Sequence, residues 1–217
     1  MTPARRGSPA RVTVSVVVPC AASHVGLLAD LVRAIETQTR PPQELVIVVS
    51  GSTPPPKLRS DRLALSLAYS PRSRNAAQNR NRGSATATGS IVVFQDADDL
   101  PHPQRFEIIA SIFETFAIEH LMHTFFPETQ FEDWRRGRYA LDYALGQLRS
   151  MNPYQRDVNV TNGNPAVSRA LLQQVFWPEN EWVGEDVTFN RRACAAGRSA
   201  VLSLPLLMYR QRLSAGR

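Results

Sequence analysis

Ile91-Val92-Val93-Phe94-Gln95-Asp96-Ala97-Asp98-Asp99 runs from an apolar segment straight into three carboxylates. A short β-branched and aromatic run of this kind reads as a buried strand, and the acids then fall at its carboxyl end. Carboxylates two residues apart at a strand end can divide their work. One can hold ribose hydroxyls while the other holds a divalent cation against a diphosphate, since magnesium and manganese take oxygen ligands and share them with substrate phosphates. Crowded acids also repel one another unless donors or a cation compensate. Read structurally, the same run is a helix entry with solvated acids ahead of Pro101.

Working outward, Val12–Pro19 reads as a buried strand, and Val25–Gln38 as a helix with Leu27, Leu28, Leu31, Val32 and Ile35 on one face. Pro41 and Pro42 stop it. Leu45–Val49 is a second strand, Leu63–Ala68 a third, and Ala76–Thr88 a helix closed by Gly89. Pro103–Phe116 is again amphipathic. Alternating strands and helices imply an α/β fold with a mostly parallel central sheet flanked by helices, and right-handed crossovers. Ligands of such sheets bind beyond the carboxyl ends of the strands. The first, second and fourth strands deliver Pro19-Cys20, Ser50-Gly51 and Asp96–Asp99 to that edge.

The second half is less regular. Glu119–Phe126 reads as a strand, Tyr139–Arg149 as a helix, and Asn162-Gly163-Asn164-Pro165 as a turn. Ser168 caps a short helix through Val175. Glu185–Ala196 is a helix ended by Gly197, and Val201–Leu204 and Leu206–Tyr209 are two short strands. Residues Glu128–Arg156 form an insertion that is acidic and aromatic around Phe131–Trp134 and basic at Arg135, Arg136 and Arg138.

The whole chain sets bounds. With 217 residues and 43% hydrophobic composition it can bury one sizeable α/β core. No apolar run reaches the roughly 18–20 residues that span a bilayer. Met1–Ala10 reads as a disordered basic tail without a signal-type apolar region, which places the protein in the cytoplasm. Cys20 and Cys194 are too few and too far apart for a disulfide framework or a cysteine metal site. His102, just after the acidic run, reads as a polar loop residue, and His120 and His123 as structural. The net charge is +6, and Lys57 is the only lysine. Arginine suits phosphate because its planar fork donates two hydrogen bonds at once. The excess fits a phosphorylated ligand, a polyanion such as nucleic acid, or a solvated surface.

Two further clusters carry chemistry. Arg80-Asn81-x-Gly83 lies on a helix that reaches the same edge, and Gly83 would let that helix pack closely. Gly184-Glu185-Asp186 opens the last long helix, where acids are favoured by the macrodipole and where one could remove a proton from an acceptor hydroxyl. Trp182 beside them suits either a sugar ring or the core.

In order, Val14–Pro19, Glu44–Thr53, Arg80-Asn81-x-Gly83, Phe94–Asp99 and Gly184-Glu185-Asp186 resemble glycosyltransferase family 2, over about Arg11–Arg212. The resemblance implies a GT-A, Rossmann-like fold. It implies residues 11–100 as a nucleotide-binding half and 101–217 as an acceptor-binding half with the 128–156 insertion. It implies inverting transfer of a sugar from a nucleoside-diphosphate donor, with UDP favoured, to a hydroxyl acceptor, assisted by manganese or magnesium. Pro19, Cys20, Ala21, Ser50, Arg80, Asp96, Ala97 and Asp98 would bind the donor, with Asp98 on the metal. Asp186 would be the base, with Glu185 supporting it, and Trp182 and Asn164 would meet the acceptor.

Three features depart from the family pattern. Cys20-Ala21-Ala22-Ser23 and Ser50 stand where acids are common. Tyr209-Arg210-Gln211-Arg212 ends in arginine where the family often has a histidine near the metal, so Arg212 would take over part of the cation's role. The chain also lacks the membrane helices of polysaccharide synthases. The readings that compete are a nucleotidyltransferase, which would want a glycine- and lysine-rich loop near Pro19–Leu27, a basic nucleic-acid-binding module, and a glycosyltransferase that modifies a base in DNA.

Overall fold

The computed structural model describes residues 1–7, 11–127, 136–151 and 160–210. Its strands are β1 (Val14–Ala21), β2 (Glu44–Ser50), β3 (Ala64–Ser70), β4 (Ile91–Phe94), β5 (Leu100–Pro101), β6 (His120–Pro127), β7 (Leu148–Met151), β8 (Ala166–Ser168) and β9 (Ser199–Tyr209). Its helices are α1 (Leu28–Glu36), α2 (Ala76–Thr86), α3 (Arg105–Thr115), α4 (Leu141–Gly146), α5 (Arg169–Leu172) and α6 (Glu185–Ala196). A 3-10 turn over Ala22–Leu27 links β1 to α1.

One nine-stranded sheet has the order β3-β2-β1-β4-β8-β6-β9-β5, with β7 also on β9. β1, β2, β3 and β4 are mutually parallel. β8 runs against both β4 and β6, and β9 runs parallel to β6. β1, β2, β3, β4, β6 and β9 therefore share one direction, so the sheet is mixed and mostly parallel, as the strand–helix alternation predicts.

The alternation of apolar residues builds two cores, one on each face. Val14, Val16, Val18, Leu45, Ile47, Val49, Ile91 and Val93 join the α1 and α3 side chains. Val17, Val46, Val48, Val92 and Phe94 join Ala77 of α2, Leu171 of α5 and Phe189 of α6. Strands buried on both faces read as continuous β-branched runs, which is why β1, β2 and β4 are so plain in the sequence. Asn75 and Gln78 form a reciprocal capping box at the start of α2, and Ser168 caps α5 by accepting from Leu171 N. A Cβ at Gly83 would collide with the Val17 side chain, so the glycine sets how closely α2 lies on β1.

Four expectations are corrected. Tyr139–Arg149 is not one helix: α4 ends at Gly146 and Leu148–Met151 turns into β7, because the exposed edge of β9 offers it a ladder. Val201–Leu204 and Leu206–Tyr209 are a single strand that passes through Pro205. The ladder with β6 slips on either side of Thr124, opposite that proline, which has no N–H to give. β5 and β8, two and three residues long, carry too little pattern to be read. Finally, Met1–Gly7 is not a free tail. Arg6 N donates to Thr115 O, Ala117 N to Ala4 O, and Ser150 N to Met1 O, while Arg6 Nε reaches Phe113 O at the end of α3. Arg212, Phe131–Arg135 and Ser8–Ala10 lie outside the described residues.

Candidate active site

β1, β2 and β4 end on one edge, and there the chain forms a cleft of about 240 Å³. Pro19, Cys20, Ala21 and His24 line it from β1 and the turn that follows. Arg74, Asn79 and Arg80 line it from α2 and its approach, and Asp96, Ala97 and Asp98 from the end of β4. A larger hollow of about 640 Å³ lies between α1 and β5, lined by Arg33, Leu100, Pro101, Arg138 and Arg210 among others. It holds neither acidic motif, whereas the smaller cleft holds Asp96 and Asp98 and is the candidate site.

The acidic run is held from behind. Asn164, at the turn before β8, accepts from Asp96 N through Oδ1 at 2.7 Å. Its Nδ2 donates to Asp96 Oδ2 at 3.0 Å and to Asp99 Oδ2 at 3.3 Å. Gln95 Nε2 donates to the carbonyls of Asp96 and Asp99. Arg105, fully buried on α3, donates to Gln95 Oε1, Phe94 O, Asn164 O and His123 Nε2. Burial pulls its guanidinium down to about 9, against the nearby charges of Asp99 and Asp96. Arg105 is the strut that sequence reading missed, since a charge at a helix start carries no local sign of the loop it holds. Asn164 is corrected from an acceptor contact to a brace, because it is 2% exposed and its amide is spent on the acidic loop.

The three carboxylates consequently differ. Asp99 is buried, and Arg210 N donates to its Oδ1. Desolvation, then the charges of Asp96 and Asp98, push its carboxyl up to about 8. Asp96 is tied to Asn164 and Arg80. Asp98, with its side chain 29% exposed, faces the cleft with His24 Nε2 3.8 Å from its Oδ2.

Arg80 links the two motifs that the sequence kept apart. Its Nη2 donates to Asp96 Oδ1 at 2.7 Å and its Nη1 to Glu185 Oε1 at 3.1 Å. Its guanidinium also lies over Trp177, 4.3 Å from the ring centroid, and Trp177 stacks on Phe189 with centroids 4.0 Å apart. With a side chain only 4% exposed, Arg80 is an internal bridge as well as part of the cleft lining. Gly163 makes room for it: a Cβ there would stand 2.6 Å from Asp96 Oδ2 and 2.8 Å from Arg80 Nη2.

Glu185 and Asp186 open α6 behind Gly184, whose φ of 81° few other residues adopt. Glu185 faces inward to Arg80. Asp186 accepts from Val187 N at its own helix start. Tyr209 ties this motif to the acidic run electrostatically. Burial raises its phenol, and Asp99, Asp98, Asp96 and Asp186 each raise it further. Trp182 is 72% exposed, so the core alternative for it falls away.

Ser50 is not among the residues that line the cleft. It is buried, donates to Arg74 O and accepts from Asn79 Nδ2 at 2.9 Å. The unspent polar atoms on that wall are Arg74 Nη1, Asn79 Oδ1 and Arg80 Nε, all buried without a hydrogen-bond partner. Cys20 is also buried, and desolvation followed by the charge of Asp98 pushes its thiol up to about 12, so it stays protonated. Both cysteines are free. His120 and His123 are structural as expected: burial pulls them down to about 4 and about 3, so both stay neutral among their hydrogen bonds.

Among the described residues, no three His, Cys, Asp or Glu side chains gather to hold a metal ion. The described residues therefore offer part of a shell. Asp98 fits that role, since a magnesium-type site uses one or two carboxylates and completes itself with substrate phosphates. Also among the described residues, no helix is long and apolar enough to cross a membrane.

Residues 15–176 match the family described as Glycosyl transferase family 2. No curated protein sequence matches the chain. Among solved structures, TarS 1-349 of S. aureus in complex with UDP-GlcNAc shares 18% identity at a TM-score of 0.71, over 94% of this chain and 60% of that one. The mannosyltransferase PcManGT of Pyrobaculum calidifontis, in complex with GDP-Man and Mn2+, shares 20% identity at 0.59, over 91% of this chain and 57% of that one. Glucosyl-3-phosphoglycerate synthase of Mycobacterium tuberculosis, in complex with Mn2+, UDP and glucosyl-3-phosphoglycerate, shares 23% identity at 0.60, over 93% and 73%. The chain thus spans about 60% of the length of the TarS fragment. At these identities the likeness concerns the fold.

Proposed function

Because the chain belongs to glycosyltransferase family 2, we propose that it transfers a sugar from a nucleoside-diphosphate donor to a hydroxyl acceptor, with inversion at the anomeric carbon. One observation carries this reading. Asp96 at the end of β4 and Glu185 at the opening of α6 meet across the Arg80 bridge, which sets the helix start that carries Asp186 against the candidate donor cleft. Asp96 takes the ribose side and Asp98 the diphosphate side. Asp186 removes the proton of the acceptor hydroxyl as its oxygen bonds to the anomeric carbon and the bond to the β-phosphate oxygen breaks. Glu185 positions that helix start through Arg80 rather than touching the acceptor. A divalent cation, manganese or magnesium, held by Asp98 would neutralise the departing diphosphate. Trp182, exposed beside Asp186, offers the acceptor sugar or ring a stacking face.

The base of the donor is read by Asn79 and Arg74 in place of Ser50. An acceptor beside a donor matches an N–H next to a carbonyl, the edge that uracil presents and that guanine presents too. UDP-sugars are favoured, and GDP-sugars belong in the same screen.

The test is release of nucleoside diphosphate from a panel of nucleotide sugars with manganese or magnesium. One donor should be turned over slowly without acceptor, and Asp98→Asn should abolish it. Absence of both turnover and diphosphate binding for every donor overturns the reading and directs attention to nucleic-acid binding.

A further inference from the structure

His24 lines the cleft and belongs to neither acidic motif. It sits in the 3-10 turn after β1, on the opposite wall from the end of β4, and its Nε2 is 3.8 Å from Asp98 Oδ2. The two side chains are 28% and 29% exposed, so neither is sealed from a ligand in the cleft. Asp96 and Asp99 are pinned by Asn164, with Arg80 and Arg210 N adding to the hold. Asp98 and His24 are the pair left facing open space.

Their separation suits a shared ion. Two ligands each about 2.1 Å from an octahedral cation stand about 3.0 Å apart when adjacent and about 4.2 Å apart when opposite. The observed 3.8 Å lies between these limits, so both atoms can reach one ion with movements of a few tenths of an ångström. We propose that His24 is a metal ligand. With Asp98 and the diphosphate oxygens of the donor, it holds a divalent cation from the β1 side of the cleft. The imidazole nitrogen moves the site away from the all-oxygen shell that magnesium prefers. This rests on the reading of the cleft as a donor site, and it assigns the nitrogen ligand to the start of the chain rather than to the segment after β9.

Pulsed electron paramagnetic resonance of the full chain with Mn2+ and UDP tests it directly. A ligated imidazole gives a nitrogen coupling to the manganese. The wild type should show it and His24→Ala should lose it. Calorimetry separates metal ligation from phosphate contact. In His24→Ala, Mn2+ affinity in the presence of UDP should fall tenfold or more, while UDP affinity in EDTA should equal that of the wild type. A nitrogen coupling absent from the wild type, or persisting in His24→Ala, overturns the proposal. An equal loss of UDP affinity in EDTA also overturns it, by making His24 a phosphate contact. Failure of the wild type to bind UDP or GDP with or without metal is a different result: it removes the donor site itself.

Discussion

Asp96 and Glu185, 89 residues apart in sequence, are joined by the single guanidinium of Arg80, at 2.7 Å and 3.1 Å. The joint is nearly dry, with the Arg80 side chain 4% exposed. Removing one partner of such a buried arrangement leaves uncompensated charge and costs about 3–5 kcal/mol. Arg80→Ala should therefore lower the unfolding free energy by that order. Arg80→Lys is the more informative variant. It keeps the charge but loses the planar fork that reaches two carboxylates at once. It should fold, bind the donor within a few-fold of wild type, and lose at least tenfold in turnover, because α6 is no longer set against the acidic loop. Wild-type turnover in Arg80→Lys would show that the bridge serves stability alone.

Gly163 is predicted to be irreplaceable for a reason of space. An added methyl would stand 2.6 Å from Asp96 Oδ2 and 2.8 Å from Arg80 Nη2, and neither atom can retreat without breaking its hydrogen bonds. Overpacking of this kind costs about 1–3 kcal/mol. Gly163→Ala should show that loss in a urea titration together with weaker nucleoside-diphosphate binding. A stability loss with unchanged binding would separate the bridge from the donor site.

How much of this was legible in the sequence follows from what each residue answers to. β1, β2 and β4 are buried on both faces, so their own side chains declare them. Leu148–Met151 becomes a strand only because β9 is there to pair with, and no local pattern carries that. The carboxylates at 96, 98 and 99 were read together, with Asp98 assigned to the metal, but the burial of Asp99 was not legible. Asp99 is buried by its neighbours, whereas Asp96 and Asp98 line the cleft. Arg105 and His24 escaped, and Asn164 was read for the acceptor, because what each meets is set by the folded chain: Asn164 lies 68 residues from Asp96, and Arg105 reaches it across 59.

The pH dependence of stability should carry the signature of Asp99. Its folded carboxyl is raised to about 8, whereas an unfolded aspartate titrates near about 3.9. Between those values the folded chain holds a proton that the unfolded chain has released, so stability falls as pH rises, by up to about 1.4 kcal/mol per unit. Asp99→Asn removes this contribution and leaves a pH-independent offset from the altered contacts to Arg210 N and Asn164. The unfolding free energy of wild type minus variant should therefore fall between pH 5 and pH 8, by up to about 4 kcal/mol at the full slope. Urea titrations at three pH values measure it. A constant difference would mean that Asp99 is ionised throughout.

Trp182 separates acceptor recognition from everything else. At 72% exposure, next to Val183 at 92%, it contributes little to the core. Trp182→Ala should thus leave the unfolding free energy within about 0.5 kcal/mol of wild type. Nothing in the donor cleft touches it, so acceptor-independent release of nucleoside diphosphate should also be unchanged. What should change is transfer: once an acceptor is identified, its KM should rise about tenfold or more, the loss of one aromatic stacking partner together with its apolar contact area. Tyrosine at the same position should restore most of the affinity, since it keeps a flat face. If acceptor-independent release falls in Trp182→Ala while the acceptor KM stays constant, the indole belongs to the donor side, and the acceptor enters past Tyr209 instead.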